Sequence, residues 1–268
     1  VTQILFWSVA VFGHGQADGP AGDSDRVIEF PDTEKYRTLV VDLHTHSVFS
    51  DGHVWPVIRV EEALLDGLDG IAITEHLEWQ PHLKDIPHPD RNRAFEEAKK
   101  AAENRDVIVI SGAEITRRMP VGHMNAVFLT NANSLLDMTK ALSQVSDTNK
   151  FYRKSRKWPA QKAVEAANNQ GAFVFWNHPN WSSQKPDGIA EITDFHARNA
   201  KANLLHGVEI ANGFEYSAEA FAIALKHNLT LIGTSDVHDL IDWDYKPHLG
   251  GHRPVTLVLS EEKTAESI

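Results

Sequence analysis

The stretch Thr38-Leu39-Val40-Val41-Asp42-Leu43-His44-Thr45-His46 decides how the rest of this chain is read. Thr38 to Leu43 is an apolar run of strand length, and in a strand residues two apart point to the same side. His44 and His46 then stand side by side at a strand end and can hold one metal ion. The stretch continues Ser47-Val48-Phe49-Ser50-Asp51-Gly52. Asp51, just ahead of a helix start, adds an oxygen ligand nearby. His-x-His alone is a weak signal, and its weight comes from the company it keeps downstream.

Working outward, strand-like and helix-like stretches alternate. Pro56 suits a first helical position, and Val57 to Asp66 follows at helical spacing, ended by Gly67 and Gly70. Strands are expected at Ile71–Thr74, Val107–Ser111, Asn125–Leu129, Ala172–Trp176, Gly207–Ala211, Leu229–Gly233 and Val255–Leu259. Helices are expected at Asn92–Asn104, Ser134–Gln144, Pro159–Gln170, Ala190–Ala202 and Ser217–His227. Lys150 to Lys157 is a basic patch that reads as a solvated loop or helix face. Repeated strand–loop–helix units predict an α/β fold, a parallel sheet with helices outside, open or closed into a barrel.

The candidate ligands fall on this map in a pattern. His44 and His46 follow the first strand, His76 the second and Glu114 the third. His178 follows Phe173–Trp176, and Asp236 and His238 follow Leu229–Gly233. In a parallel barrel the carboxyl ends of strands share one face, where sites are assembled from several strand ends. His123 is the exception, because it precedes its strand; that strand would have to run backwards, or the loop before it fold over the face. Buried imidazoles and carboxylates are costly unless paired or metal-bound, and a metal cluster accounts for all of them together. His14, His53, His82, His88, His196, His206, His227 and His248 read as leader, loop or helix residues, while His252 beside Arg253 is open.

The bulk numbers bound the function. With 268 residues the chain suits one large domain or two small ones. It is 42% hydrophobic and 24% charged, ordinary for a globular protein. A net charge of −11 argues against non-specific nucleic-acid binding, which needs a basic footprint. A small phosphorylated substrate is compatible with it, because bound cations invert the local field. Cysteine is absent, so disulfides, thiolate sites and a Cys nucleophile are excluded, and metal must be held by nitrogen and oxygen. Ile4 to Phe12 is apolar and Gly13-His14-Gly15 is a small-x-small site, so residues 1–15 read as a signal-peptide remnant. The alternative is a buried N-terminal strand or helix. Periplasmic or secreted placement follows from the first reading, a cytoplasmic one from the second. Residues 16–37 read as a linker, and Glu261 to Ile268 as the first turns of a helix in a domain, 38–268, clipped at its end.

His44-Thr45-His46 with Ser50-Asp51-Gly52, Thr74-Glu75-His76, Gly112-Ala113-Glu114, His123, Asn177-His178-Pro179 and Ser235-Asp236-Val237-His238 resemble the motifs of the PHP (polymerase and histidinol phosphatase) family. The resemblance runs from about Thr38 to Leu259. It implies a distorted (β/α)7 barrel, TIM-like, with two or three divalent metals at its carboxyl face. His44, His46, Glu114 and Asp236 would surround one metal, and Asp51, His76 and His238 a second. Glu114, His123 and His178 would hold the third, with Glu114 bridging. Some family members carry His where this chain has Asp51. A sulfur-free ligand set fits Zn, Mn or Fe without choosing among them.

The reaction implied is phosphoester hydrolysis by a metal-bound hydroxide on a small phosphorylated substrate, with Glu114, Asp236 and His238 as the catalytic candidates. A monoesterase and a nucleotide or cyclic phosphodiesterase both fit. Arg117, Arg118 and Arg253 are candidate phosphate contacts, each with a structural counter-ion as the equal alternative. Trp181 is a candidate for stacking on a base or sugar, and Asn212 for holding water. Two other functions stay open, a metal-stabilised module without turnover and a C–N bond hydrolase on a related barrel. A nucleic-acid polymer is not an expected partner, and the apolar leader is too short for a stable membrane span, which takes about 20 residues.

Overall fold

The computed structural model describes residue 28 and residues 30–137 and 145–268. The expected signal remnant, the expected linker up to residue 27, and most of the helix expected over 134–144 lie outside the described residues. What is seen of that helix is a short 3-10 turn, Ala132–Leu135.

The strands are β1 (Arg37–Asp42), β2 (Gly70–Ile73), β3 (Ile108–Thr116), β4 (His123–Val127), β5 (Phe173–Trp176), β6 (Gly207–Asn212), β7 (Glu215–Tyr216), β8 (Thr230–Thr234) and β9 (Thr256–Ser260). The helices are α1 (Pro56–Leu65), α2 (Arg93–Ala101), α3 (Thr148–Ser155), α4 (Ala160–Asn168), α5 (Asp194–Lys201), α6 (Ala218–His227) and α7 (Ile241–Asp244). Their ends follow local chemistry. α1 opens on Pro56, whose missing N–H costs nothing in the first turn. Thr193 caps α5 and Ser217 caps α6 through their hydroxyls, and Asn228 closes α6 in the left-handed conformation. The basic patch is α3, capped by Asp147.

One sheet runs β7-β6-β5-β4-β3-β2-β1-β9, with β8 paired to the other side of β6. Neighbours β1–β2, β2–β3, β5–β6 and β6–β8 are parallel, as expected. β4 runs against both β3 and β5, and β9 runs against β1. The sheet curls until its ends meet. Thr45, after β1, bridges Val237, after β8, and the contact is fixed by His46 N–H to Val237 O at 3.1 Å and Asp236 N–H to His44 O at 3.0 Å. The result is a distorted α/β barrel.

Period-two alternation sets the layers. Leu39 and Val41 of β1 point inward and meet Ala72, Ile110, Val127, Phe175 and Ile232 from five other strands. Val40 points outward and packs with Val60 and Ala63 of α1 and Ala98 of α2. On the far side Met124, Val174, Trp176 and Val208 pack under α4 and α6. The helix expected over Glu261–Ile268 is instead a series of turns, because Ser260 and Ser267 hydroxyls bond each other at 2.7 Å and fold the segment back. Among the described residues no helix is long and apolar enough to cross a membrane.

Candidate metal centre

The exits of the strands deliver the ligand-type side chains to one end of the barrel. His44 and His46 leave β1 on the same side, both fully enclosed, with their Nε2 atoms 3.0 Å apart. Two imidazole nitrogens face each other this closely only over a shared proton or a shared cation. Glu114 lies inside β3 rather than after it, since pairing with β4 extends that strand to Thr116. The reversal of β4 explains His123. Its strand starts where its neighbours end, and His123 is paired with Thr116 two residues beyond Glu114.

Three sets of side chains offer ligand atoms within 4.8 Å of one another: His46, Asp51, His76 and His238; His44, His46 and Glu114; and His76, Glu114 and His123. Asp236 joins the second set, with Oδ1 at 3.1 Å from both His44 Nε2 and His46 Nε2. His178 Nε2 stands 3.7 Å from Glu114 Oε1 and 3.8 Å from Asp236 Oδ2. All nine ligand candidates thus form one cluster, with Asp51, His76, His123, His178, Asp236 and His238 lining a common cavity and His44, His46 and Glu114 enclosed beneath them. The partition differs in detail from the one the resemblance implied, because His46 reaches the Asp51 group and His76 reaches the Glu114–His123 group.

These residues fit divalent cations. Asp51 Oδ1, Glu114 Oε2 and His123 Nδ1 are buried and lack hydrogen-bond partners among the described residues. Such orphaned atoms are costly in a protein interior and ordinary as metal ligands. His123 Nδ1 comes within 2.8 Å of Glu114 Oε1 without aligning as a hydrogen bond. His178 and Asp236 hold the backbone left-handed, at φ of 29° and 53°, an arrangement that costs a residue with a Cβ about 1 kcal/mol or more and clusters at functional sites.

The electrostatics point the same way. Burial opposes the charge on Glu114, yet His76 and His123 hold its carboxyl well below the usual range. Burial likewise opposes Asp51 and Asp236, and neighbouring imidazoles hold both low. Burial would lower His44, but Asp236 and Glu209 raise it well above its ordinary value, and His76 is raised by Glu114 and Asp51. His46, buried beside His238, falls to about 3. Permanent negative charge is therefore built into the floor and demands positive charge from protons or metal.

Further residues, unmarked by any sequence motif, orient the ligands. Glu209 of β6 is buried, accepts from His44 Nδ1 at 2.8 Å and Thr234 Oγ1 at 2.6 Å, and takes the His178 N–H at 2.6 Å. Thr116 Oγ1 meets His76 Nδ1 at 2.7 Å, and Asp236 O meets His238 Nδ1 at 2.7 Å. Ser50 bridges His46 Nδ1 and the buried Glu75. Such partners fix the tautomer that leaves the other ring nitrogen free for metal. Arg59 of α1 donates to His46 O at 2.8 Å and Asp239 O at 2.7 Å, tying together two ligand-bearing loops. The signal for Glu209 was an ionisable residue inside the apolar strand Gly207-Val208-Glu209-Ile210.

Two of the three arginine candidates are placed elsewhere. Arg117 is buried in an ion pair with Glu78 and donates to Trp158 O at 2.8 Å. Arg253 is buried between Asp42 and Asp66, at 3.3 and 2.9 Å. Both are counter-ions to buried carboxylates and line neither cavity at the ligand cluster, which corrects their expected role as phosphate contacts. Arg118 is exposed and lines a cavity beside the ligands. Asn212 donates to Asp236 Oδ2 at 3.3 Å, and Trp181 packs its ring against His123 and His178.

Comparison with known proteins gives this geometry a context. The PHP domain model matches residues 42–175. A crystal structure of a two-domain protein from Bacteroides vulgatus, described as containing a predicted PHP-like metal-dependent phosphoesterase, superposes with a TM-score of 0.80 at 42% identity, covering 92% of this chain and 66% of that one. A putative metal-dependent phosphoesterase from Bifidobacterium adolescentis shares the fold, with a TM-score of 0.53 at 20% identity over 75% of this chain and 88% of that one. An uncharacterised protein of Methanocaldococcus jannaschii is 39% identical over 79 residues, 30% of this chain and 34% of the relative. The chain thus spans about a third of that relative's length and 66% of the Bacteroides chain. The matched segment runs from the last residue of β1 into β5, holds His44, His46, Asp51, His76, Glu114 and His123, and amounts to half of the 268 residues, so this chain belongs to the PHP domain family.

Proposed function

We propose that this chain is a metal-dependent phosphoesterase that hydrolyses a small phosphorylated molecule at the cluster around Glu114. The observation that carries the reading is the shared carboxylate. Glu114 is wholly buried and belongs to two of the three ligand sets, so its carboxylate would be shared between adjacent cations. Asp51, His76 and His238 would hold one ion; His44, His46, Glu114 and Asp236 a second; and Glu114, His123 and His178 a third, which gives each ring's free nitrogen to one ion. When bound, divalent cations lower the pKa of water and neutralise the oxygens of a phosphoryl group under in-line attack.

The chain's own groups supply the rest. In this reading Asp236, which lines a cavity of about 390 Å³ and whose Oδ2 accepts from Asn212, is the group that takes up the proton of the attacking water. His238 has Nδ1 bound to Asp236 O and Nε2 at 3.3 Å from Asp51 Oδ1, so it acts as a ligand in this reading. Glu209, Thr116 and Ser50 keep His44, His76 and His46 from rotating away. The description of the Bacteroides protein and the 42% identity to it support phosphoester chemistry, and the net charge of −11 favours a small substrate over a polyanion.

The test is metal analysis of purified protein with a panel of phosphomonoesters and phosphodiesters, with and without chelator. Turnover that disappears on chelation and returns with Zn, Mn or Fe is expected. Stoichiometric metal with no turnover of any phosphoester would overturn the proposal in favour of a structural metal site or C–N hydrolysis.

A further inference from the structure

Beside the ligand cluster lies a second cavity, of about 690 Å³, that shares Asp51, His76 and His123 with it. That size suits an organic molecule rather than a bare phosphate, since sites for drug-sized ligands span roughly 300–1,000 Å³. Its walls are aromatic. Trp79, from the loop after β2, and Tyr152, from α3, meet edge to face with centroids 5.5 Å apart. Trp181, from the loop after β5, forms another part of the wall, with its ring 5.6 Å from His123 and 5.2 Å from His178. Met119 adds a polarisable apolar surface.

Among the polar groups in this wall, which include Thr116 and Ser183, Arg118 and Gln184 stand out. Arg118 is exposed and has no carboxylate partner among the described residues, whereas its neighbour Arg117 is bound to Glu78. Gln184 carries a buried Oε1 with no hydrogen-bond partner among the described residues. A cation left unpaired in a chain of net charge −11, on the rim of an aromatic slot, is a feature that ion-pairing inside the protein does not explain. Outside the slot Arg156 lies over the Tyr152 ring at 4.9 Å and stiffens it.

We infer that this cavity takes the alcohol part of the substrate, and that the alcohol carries a planar aromatic ring near the ester oxygen together with a second negative group that meets Arg118. The inference rests on the phosphoesterase reading above and specifies its substrate class. The reaction balances as water adding to phosphorus while the phosphorus–oxygen bond to the alcohol breaks. The alcohol leaves with one proton and inorganic phosphate remains. Trp79, Tyr152 and Trp181 bind the ring faces, and Arg118 selects for charge.

The experiment compares benzyl phosphate with butyl phosphate on the metal-loaded protein, because the two leaving alcohols are of nearly equal basicity. A preference for the benzyl ester of about tenfold or more in kcat/KM is expected, since stacking one ring contributes on that order. Trp79→Ala and Trp181→Ala should each erase most of the preference, read as the ratio of benzyl to butyl kcat/KM within the same variant. 4-Carboxybenzyl phosphate should outperform benzyl phosphate, and Arg118→Ala should remove that gain alone. Binding is read separately by quenching of tryptophan fluorescence with benzylphosphonate against butylphosphonate. Equal rates for benzyl and butyl esters, with ratios untouched by the tryptophan variants, would overturn the inference. Absence of all ester turnover would sink the phosphoesterase reading instead. The phosphonate titration then still decides the cavity, tighter benzyl binding lost in Trp79→Ala supporting it and equal binding refuting it.

Discussion

Replacing Glu114 by glutamine preserves side-chain shape and removes one negative charge from the centre of the ligand cluster. The amide could keep an oxygen at the Oε1 position as the acceptor for Asn177 Nδ2, now at 3.0 Å, so the fold should survive. What changes is Oε2, which lies 3.7 Å from His44 Nε2 and 3.5 Å from His46 Nε2 and would become an amide nitrogen turned toward the cations. Unit charges about 4 Å apart in an effective dielectric of about 20 interact by about 4 kcal/mol, and a divalent ion doubles that. Restored hydration of the unfilled site and the lower desolvation cost of an amide offset much of it. A net loss of about 3 kcal/mol remains, or roughly two powers of ten in metal affinity. The assay is competition of Zn or Mn against a chromophoric chelator, with circular dichroism to confirm the fold. Glu209→Gln is the internal control, because Glu209 meets the ligands only at His44 Nδ1 and the His178 backbone N–H, away from their metal-facing nitrogens, and should cost about tenfold, less than the loss of the bridge. Metal affinity in Glu114→Gln within about threefold of wild type, or a larger loss in Glu209→Gln, would refute the bridging role.

Other variants separate stability from the site. Arg253→Ala removes the guanidinium that neutralises the buried Asp42 and Asp66 carboxylates and should lower unfolding free energy by about 3 kcal/mol in urea while leaving metal stoichiometry intact; lost metal with unchanged stability would contradict the counter-ion assignment. A Cβ at Gly52 would stand 2.7 Å from Ser47 N and 2.8 Å from His46 O, so Gly52→Ala should displace the ligand loop and weaken metal binding at least about tenfold, and unchanged affinity counts against that close approach. His196 is buried against Trp176 with its pKa pushed down to about 4 by burial, so the unfolded chain binds the extra proton between about pH 6.5 and about pH 4. Stability from this group is complete above about pH 6.5 and falls by about 3 kcal/mol as pH drops to about 4. The stability gap between wild type and His196→Phe should shift by that amount over the window, and a gap constant with pH would rule the effect out.

Much of the site was legible because strand ends concentrate ligands and because His, Asp and Glu after apolar runs are few. The period-two rule applied to Thr38–Leu43 placed His44 and His46 together, and the strand-end rule gathered His76, His178, Asp236 and His238. The same rule left His123 anomalous, and the anomaly was informative, since β4 does run backwards. Pairing is a property of two strands, so neither the direction of β4 nor the extension of β3 to Thr116 could be read from either alone. Arg117, Arg118 and Arg253 look alike in sequence. Their roles divide on where Glu78, Asp42 and Asp66 sit, each far away in the chain. Glu209 escaped because a carboxylate in a strand carries no spacing signature. The turns at Glu261–Ile268 were missed because Ser260 and Ser267 compete with helix hydrogen bonds only after the segment has folded back.

The seam that closes the barrel dictates the order in which this molecule can mature. Residues bonded across it, such as Ser235 and His44, are 191 positions apart. At about 5–20 residues per second, a ribosome needs on the order of ten seconds or more to deliver β8 after β1. Throughout that interval the nascent chain displays His44, His46 and Glu114 without Asp236 or His238 to complete them. In the phosphoesterase reading, cation capture therefore waits until β8 and the segment carrying Asp236 and His238 have been made. Stalled chains ending before Thr230 should bind Zn no better than a denatured control, and tight binding by such chains would show that half a barrel is enough.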